Sequence, residues 1–140
     1  MTPATDSIAP QARANMAGIL RVLGLFQNLD RHISVESIKT LLYIALNENK
    51  SVNDYARMAG VGGGPMSRRV GDLGELDRNL NQGLQMVESR PDPLDRRLTL
   101  VRLTHQGRAF VGRVAAAVGQ ISPVALQNAG TMLVSDIPHE

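Results

Sequence analysis

The spacing of apolar residues predicts a long amphipathic helix near the start of the chain. Between Pro10 and Asp30 these residues recur every three or four positions, which is the period of an α-helix. The stripe consists of Met16, Ile19, Leu20, Leu23 and Phe26, and it is widened by Val22, Leu25 and Leu29. A helix with so wide an apolar surface is buried on two sides, either at the centre of a domain or against a partner subunit.

Two further helices follow the first. Ser34 can cap the second helix, which ends around residues 47–49. Its inward-facing residues are expected to be Ile38, Leu41, Leu42, Ala45 and Leu46. The third helix covers Val52–Ala59, with Ser51 as its cap and Asp54 in its first turn, where the helix dipole favours an acidic side chain.

A glycine-containing turn leads into a fourth helix. Gly60 ends the third helix, and after Gly62–Gly64 comes Pro65, which suits the first position of the next one. The buried face of the fourth helix is predicted to be Met66, Val70, Leu73 and Leu76. Two helices joined in this way, with exposed arginines near the start of the second, form a helix-turn-helix. In such a unit the second helix enters the major groove of DNA, and its first residues reach the base edges.

A β-hairpin is predicted next. Its strands, Leu84–Ser89 and Arg97–Leu103, are joined by a charged loop that contains two prolines. Thr104 then caps a helix that runs to about Ser122, and a short helix over 124–134 follows Pro123. The apolar side of the longer helix is expected to carry Phe110, Val111, Val114, Ala115 and Val118. This order of elements predicts a mainly α fold with a small β-hairpin wing, a winged helix-turn-helix. Residues 1–9 are expected to form a flexible arm, and residues 10–140 a single domain.

Composition narrows the class of protein. A chain of 140 residues with 43% hydrophobic residues can form one domain with a real core. Without cysteine it can form neither a disulfide nor a thiolate metal site. No apolar run is long enough to span a bilayer, so no membrane partner is expected. The first residues lack the basic and apolar blocks of a signal peptide, so we expect a cytoplasmic protein.

Candidate chemistry favours binding over catalysis. The three histidines are scattered without a second ligand at helical spacing, so no metal or other cofactor is expected. No carboxylate pair or Ser-His-Asp set has a spacing that suggests an enzyme. Charge is uneven: Arg57 to Arg113 holds ten basic and six acidic residues, although the whole chain has a formal net charge of only +2. The surplus of basic residues between Arg57 and Arg113 is suited to binding a polyanion.

Two clusters of arginines are candidates for DNA contact. In the fourth helix, Ser67, Arg68 and Arg69 either reach the groove or, in the alternative interpretation, are solvated residues after a structural loop. A phosphate-binding glycine loop is disfavoured, because no Lys-Ser or Lys-Thr follows the glycines and the preceding element is a helix.

The hairpin holds the second cluster. Arg97 is suited to the minor groove, where A·T-rich DNA concentrates negative potential. Asp95 would be repelled by phosphate, so its expected role is to hold the Arg97 guanidinium by a charge-assisted pair. Arg90 and Arg96 would contact phosphates. In the alternative interpretation Asp95 and Arg97 pair only for structure, but together with the preceding helix-turn-helix the arrangement favours DNA contact.

The stretch Asp95–Gly107 fits the pattern Asp-x-Arg-x-x-x-Val-x-Leu-Thr-x-x-Gly at every fixed position. In this pattern, and from about Val35 to Val114, the chain resembles the MarR (multiple antibiotic resistance regulator) family of winged-helix transcription regulators. The resemblance implies a homodimer with dimerisation helices at 10–33 and 104–134 and a DNA-binding lobe at 35–103. It also implies a repressor that binds a pseudo-palindromic operator in double-stranded DNA and is released by a small-molecule effector or by cysteine oxidation.

Matched residue by residue, the resemblance assigns roles within both clusters. Ser67, Arg68 and Arg69 match the groove-facing start of the recognition helix. Asp95 and Arg97 match the paired wing residues, and Leu103 and Thr104 match the exit of the wing into the next helix.

The chain departs from the family pattern in three ways. Residues 74–82 are more than the family places between recognition helix and wing, so either the helix is longer or a short insertion follows it. Gly62–Gly64 replace polar contact residues. The absence of cysteine excludes thiol-based redox sensing. We therefore predict a sequence-specific DNA-binding regulator, and the alternative is a winged helix that binds protein or serves as a replication or plasmid accessory factor without operator specificity.

Overall fold

The structure is a computed structural model that describes residues 8–75 and 82–121. Within these residues the helices are α1 (Pro10–Leu29), α2 (Val35–Leu46), α3 (Val52–Ala59), α4 (Gly63–Leu73) and α5 (His105–Gly119). The strands are β1 (Lys50–Ser51), β2 (Val87–Pro91) and β3 (Thr99–Leu103). The mainly α fold with a small hairpin is confirmed. Predictions for residues 1–7, 76–81 and 122–140, including the N-terminal arm, Leu76 in the core and the helix at 124–134, lie outside the described residues.

Two compact units share the chain. Of the described residues, those between 26 and 113 form one unit, and residues 8–25 and 114–121 form the other. The first unit contains α2–α4 and the whole sheet. It therefore holds every residue that the sequence marked as a candidate for DNA contact.

The sheet of the first unit is antiparallel with the strand order β1-β3-β2. Val87 pairs with Leu103, and Pro91 at the other end of β2 pairs with Thr99. The strand β1 was not expected, and it adds to the outer edge of the hairpin by pairing Lys50 with Val101. Both strands of the hairpin begin later than predicted, because residues 83–86 bond to the end of α4 and residues 92–98 form the loop.

The core of the first unit is built from α2, α3, α4 and the inner face of the sheet, together with the last residues of α1 and the first part of α5. Its largest fully buried side chains are Tyr55, Phe26, Phe110, Leu41, Ile44, Met66, Leu73, Val87 and Val101. The rings of Phe26 and Phe110 meet edge to face, with 5.2 Å between their centroids. The hydroxyl of Tyr55 donates to the carbonyl of Asn47 and accepts from the N–H of Lys50, which ties α3 to the residues around β1.

The predicted helix caps are present. Ser34 accepts the N–H of Ser37, and Ser51 forms a reciprocal capping box with Asp54. Gly60 ends α3 in the left-handed region with φ 69°, which a residue with a Cβ adopts at a cost. Thr104 accepts the N–H of Gly107 at the start of α5.

Two predictions for the helices were wrong in detail. Pro65 is the third residue of α4, because the helix begins at Gly63. Leu42 and Leu46 do not face the core: Thr40, Leu41 and Ile44 are the buried residues of α2, whereas Leu46 is 80% exposed. The apolar stripe of α2 is wide enough for two faces, and tertiary packing selects the one that contains Leu41.

The second unit presents an apolar surface. Four of the five residues predicted to form the α1 stripe are exposed, as is Val118 of α5, although Phe26 is buried in the first unit. The four residues of α1 are Met16, Ile19, Leu20 and Leu23. Gly18 of α1 lies against Ile121, since a Cβ there would be 3.0 Å from the Ile121 side chain. Among the described helices, none is both long and apolar enough to cross a membrane.

Candidate nucleic-acid interface

The helix-turn-helix consists of α3, the turn at residues 60–62 and α4. The N–H of Val61 donates to the carbonyl of Ala56 at 3.0 Å, which fixes the turn after α3. Helix α4 buries Met66, Val70 and Leu73 against the core. Its other face, with the exposed glycines 62–64 at its start, is open to solvent.

The three candidate residues of α4 point in different directions. Ser67 borders a recess of about 480 Å³ between α4 and the strands β2 and β3. Arg69 is half-buried and lines a recess of about 200 Å³ beside Lys39 and Tyr43 of α2. Arg68 is exposed between them, and within the described residues its side chain makes neither an ion pair nor a hydrogen bond.

At the wing, Asp95 and Arg97 form a two-pronged ion pair. Arg97 donates through Nε and Nη2 to the two carboxylate oxygens of Asp95, each at 3.0 Å, and its backbone N–H also donates to Asp95. These hydrogen bonds hold the pKa of Asp95 below and that of Arg97 above its ordinary value. The guanidinium stays 89% exposed although it is oriented by its partner. The ion pair is in place, and contact of Arg97 with DNA stays a prediction.

The loop that carries this pair is closed by backbone hydrogen bonds. Asp92 donates to the carbonyl of Leu98 at 2.9 Å, and Leu98 donates to that of Asp95 at 2.9 Å. The side chain of Asp92 also accepts the N–H of Leu94 at 2.9 Å. The tip is therefore a defined turn that holds its charged groups in place.

The remaining arginines of the wing differ in their surroundings. Arg90 donates to Glu88 at 3.1 Å, and Arg102, which lies opposite Glu88 on β3, donates to its other oxygen at 2.7 Å. The hydrogen bond from Arg102 is the main reason that the pKa of Glu88 is lowered. Arg96 has no such partner within residues 8–75 and 82–121. Sequence reasoning missed Glu88 and Arg102, whose alternation on facing strands was the available signal.

The base of the wing is fixed by Glu48, which sequence reasoning also missed. Its carboxylate accepts the N–H of Leu103 at 2.9 Å and two hydrogen bonds from Arg108, each at 2.8 Å. One acidic side chain thus joins the segment after α2, the end of β3 and the start of α5. No local pattern reveals this junction, because 55 and 60 positions separate Glu48 from its partners.

The two ends of the segment that connects α4 with β2 lie close together. Helix α4 ends at Leu73, so the expectation of a longer helix is wrong, and the insertion relative to the family stays a prediction. The N–H of Gly83 meets the carbonyl of Glu75 at 3.0 Å, and Met86 donates to Leu73 at 2.8 Å. Residues 83–86 therefore lie against the end of α4, and the wing starts next to this helix.

Compared by sequence, the chain matches no protein-family profile and no curated protein. Solved structures are similar to it in fold. Rv1404 of Mycobacterium tuberculosis superposes with a TM-score of 0.60 at 21% identity, over 89% of this chain and 82% of that one. A mutant of S. aureus MepR bound to an oligodeoxyribonucleotide gives 0.60 at 17% identity, over 86% and 81%. A mutant of E. coli MarR complexed with operator DNA gives 0.55 at 22% identity, over 91% and 87%.

The chain has the MarR-type winged-helix fold. In a MarR-type fold, α3 and α4 are the helix-turn-helix, and β2 and β3 form the wing. No group of three or more side chains of the types that ligate metals occurs in the described part of the chain.

Proposed function

We propose that this protein is a homodimeric, sequence-specific DNA-binding transcription regulator, a repressor that binds a pseudo-palindromic operator. The observation that carries the proposal is the exposed guanidinium of Arg97, held by Asp95 in a wing that begins at the end of the helix carrying Arg68. The first unit thus presents two cations, Arg68 for the major groove and Arg97 for the adjacent minor groove. A regulator of this kind is not an enzyme.

Each candidate residue has a role in the proposal. Helix α4 lies in the major groove with Ser67, Arg68 and Arg69 at its start, and the wing tip places Arg97 in the minor groove. Arg90 and Arg96 contact phosphates. Affinity then comes largely from arginine–phosphate contacts and falls with salt. Two proteins of similar fold, MepR and MarR, were solved with DNA, which supports this assignment.

The exposed apolar side chains of the second unit support the proposal of a homodimer. Helix α1 exposes Met16, Ile19, Leu20 and Leu23 along one side, and Leu20 is 69% exposed. These side chains follow one another at helical spacing, so they form a continuous stripe. A second copy of the chain, related by a two-fold axis, would cover this stripe and place two wings on the two halves of an operator.

Release by a small-molecule effector is the remaining part of the proposal. The recess between α4 and the wing has about 480 Å³, which is enough for a small molecule. An occupant there would lie against Ser67 and Val87 and would alter the relation of helix and wing.

The test is binding of the purified chain to DNA from upstream of its own gene, measured by fluorescence anisotropy at two salt concentrations. We expect tighter binding than to random DNA and weaker binding at higher salt. Arg97→Ala should weaken operator binding and leave folding intact, because its guanidinium is 89% exposed and its hydrogen-bond partner within the described residues is Asp95. Arg21→Ala, which removes an exposed arginine of α1, serves as the control for charge.

Two results would contradict the proposal. Equal affinity for upstream and random DNA would favour the alternative, a protein-interaction module, which the small net charge of +2 and the side-chain-free start of α4 suggest. Unchanged operator affinity of a folded Arg97→Ala dimer would refute the role of the wing.

A further inference from the structure

The open face of α4 carries one long basic side chain. Successive residues of a helix are turned by about 100°, so Gly64, Arg68 and Asp72 lie on the side opposite Met66 and Val70. Met66 and Val70 are buried, whereas Gly64, Arg68 and Asp72 are exposed. Arg68 is the basic group on this face, and its guanidinium forms no ion pair with a described residue, although the carboxylate of Asp72 lies on the same face.

The neighbours of Arg68 are turned away from this face. Arg69 is half-buried and lines the recess beside Lys39 and Tyr43 of α2. Ser67 lies on the other flank, at the recess that Ser89 and Thr99 of the wing strands also line. Ser67 also has a short side chain, so Arg68 is the long side chain that is exposed at this end of α4.

Glycines occupy the end of α4 that enters a groove first. Gly62, Gly63 and Gly64 bring no side chain that could hydrogen-bond a base or contact a thymine methyl group. The protein interior does not require glycine at position 64, since a Cβ there would meet no atom within 4 Å. The start of α4 therefore leaves base recognition to the side chain that follows, Arg68.

We propose, resting on the function proposed above, that Arg68 is the specificity-determining residue of α4 and that it reads one guanine in each half-site. Arginine pairs with guanine because its two parallel N–H groups match the O6 and N7 acceptors in the major groove. Adenine presents an amino group where guanine presents O6, so it accepts only one of these bonds. The operator then has one strongly preferred G·C pair under each recognition helix, with weak preference at the adjacent positions.

The test is selection of binding sites from a random duplex library, followed by affinity measurement on the selected site. The wild-type chain is compared with Arg68→Ala and with Arg69→Ala, which removes the same side chain and charge one position further on. Because Arg69 also belongs to the proposed interface, Arg69→Ala should lower affinity but keep the preference for guanine. We expect the wild-type protein to select an inverted repeat with one invariant guanine per half-site. Replacing this guanine by 7-deazaguanine, which lacks the N7 acceptor, isolates the contact.

The expected result is specific to Arg68. Arg68→Ala should lose the preference for guanine and bind the selected site roughly 5- to 150-fold more weakly, the factor for one bidentate arginine–guanine pair. The 7-deazaguanine site should weaken the wild-type protein and Arg69→Ala but not Arg68→Ala. Circular dichroism would verify that each variant is folded.

The possible negative results separate the proposed operator binding from the role of Arg68. If the wild-type protein selects no sequence, the proposed operator binding is refuted, and so is the role of Arg68. If it selects a sequence whose guanine preference survives in Arg68→Ala, or is lost in Arg69→Ala, only the role of Arg68 is refuted.

Discussion

Gly107 offers a sharp test of how the wing is joined to α5. It is buried in the first turn of α5, where a Cβ would be 2.0 Å from the carbonyl oxygen of Met86 and 2.9 Å from its carbonyl carbon. Both atoms belong to the backbone, so no side-chain rotation can relieve the contact. The substitution Gly107→Ala therefore has to push the start of α5 away from the segment that leads into β2.

The loss in free energy of unfolding follows from the hydrogen bonds and packing contacts that this displacement breaks. Thr104 donates its N–H to Met86 and its hydroxyl to Gln85, at 2.9 and 2.7 Å, and each hydrogen bond contributes about 1 kcal/mol. Met86 and Val87, at 3% and 0% exposure, lose part of their packing, which adds about 1–2 kcal/mol. We expect Gly107→Ala to lower the free energy of unfolding by about 3–4 kcal/mol, a large part of the stability of a small domain.

Urea denaturation followed by circular dichroism measures this loss, and α5 itself provides the matched control. A Cβ at Gly112 would meet no atom within 4 Å, so Gly112→Ala should stabilise the helix by about 0.5–1 kcal/mol. Wild-type stability of Gly107→Ala, or a loss of similar size in Gly112→Ala, would refute the argument from close approach.

The remaining predictions concern Glu48 and α1. Burial disfavours ionisation of Glu48, but the hydrogen bonds from Arg108 and Leu103 outweigh it and hold its pKa below the ordinary value. A lowered pKa stabilises the folded state above the unfolded pKa of about 4.3, and this contribution is lost as pH falls through the folded value. Urea midpoints measured from pH 6 to 3 should therefore fall less steeply for Glu48→Gln than for the wild type; parallel curves would exclude Glu48 as a contributor. In α1, Leu20→Asp places a charge in the exposed apolar stripe, so light scattering should show a monomer with an unchanged circular dichroism spectrum. A persisting dimer would show that the stripe is not the interface.

The features that could be predicted from the sequence depend on residues that are close to one another in the chain. Ser34, Ser51 and Thr104 mark helix starts because a cap acts within three residues, and Gly60 marks an end because of its backbone freedom. The pairing of Asp95 with Arg97 was likewise readable, since the two residues are two positions apart in a tight loop.

Features that depend on distant partners could not be predicted. The strand β1 has only two residues, and it exists because β3 offers a free edge fifty positions later. Glu48 joins three elements that no window of sequence contains together. The buried face of α2 is chosen by its neighbours, since its apolar stripe would also allow Leu42 and Leu46 to face inward.

The position of the wing relative to α4 follows from the hydrogen bonds of residues 83–86. Leu84 donates to Asp72 and Met86 donates to Leu73, so the segment before β2 lies against the end of α4. A Cβ at Gly83 would lie 2.4 Å from the carbonyl oxygen of Gly74, so this close approach requires a residue without a side chain. The wing consequently begins beside the end of α4. If each half-site is read at one guanine, discrimination by one half is modest, and a two-fold dimer that must match two guanines at a set spacing multiplies it. The hydrogen-bonded junction between α4 and β2 then places helix and wing side by side, so that few base contacts in each half-site define an operator.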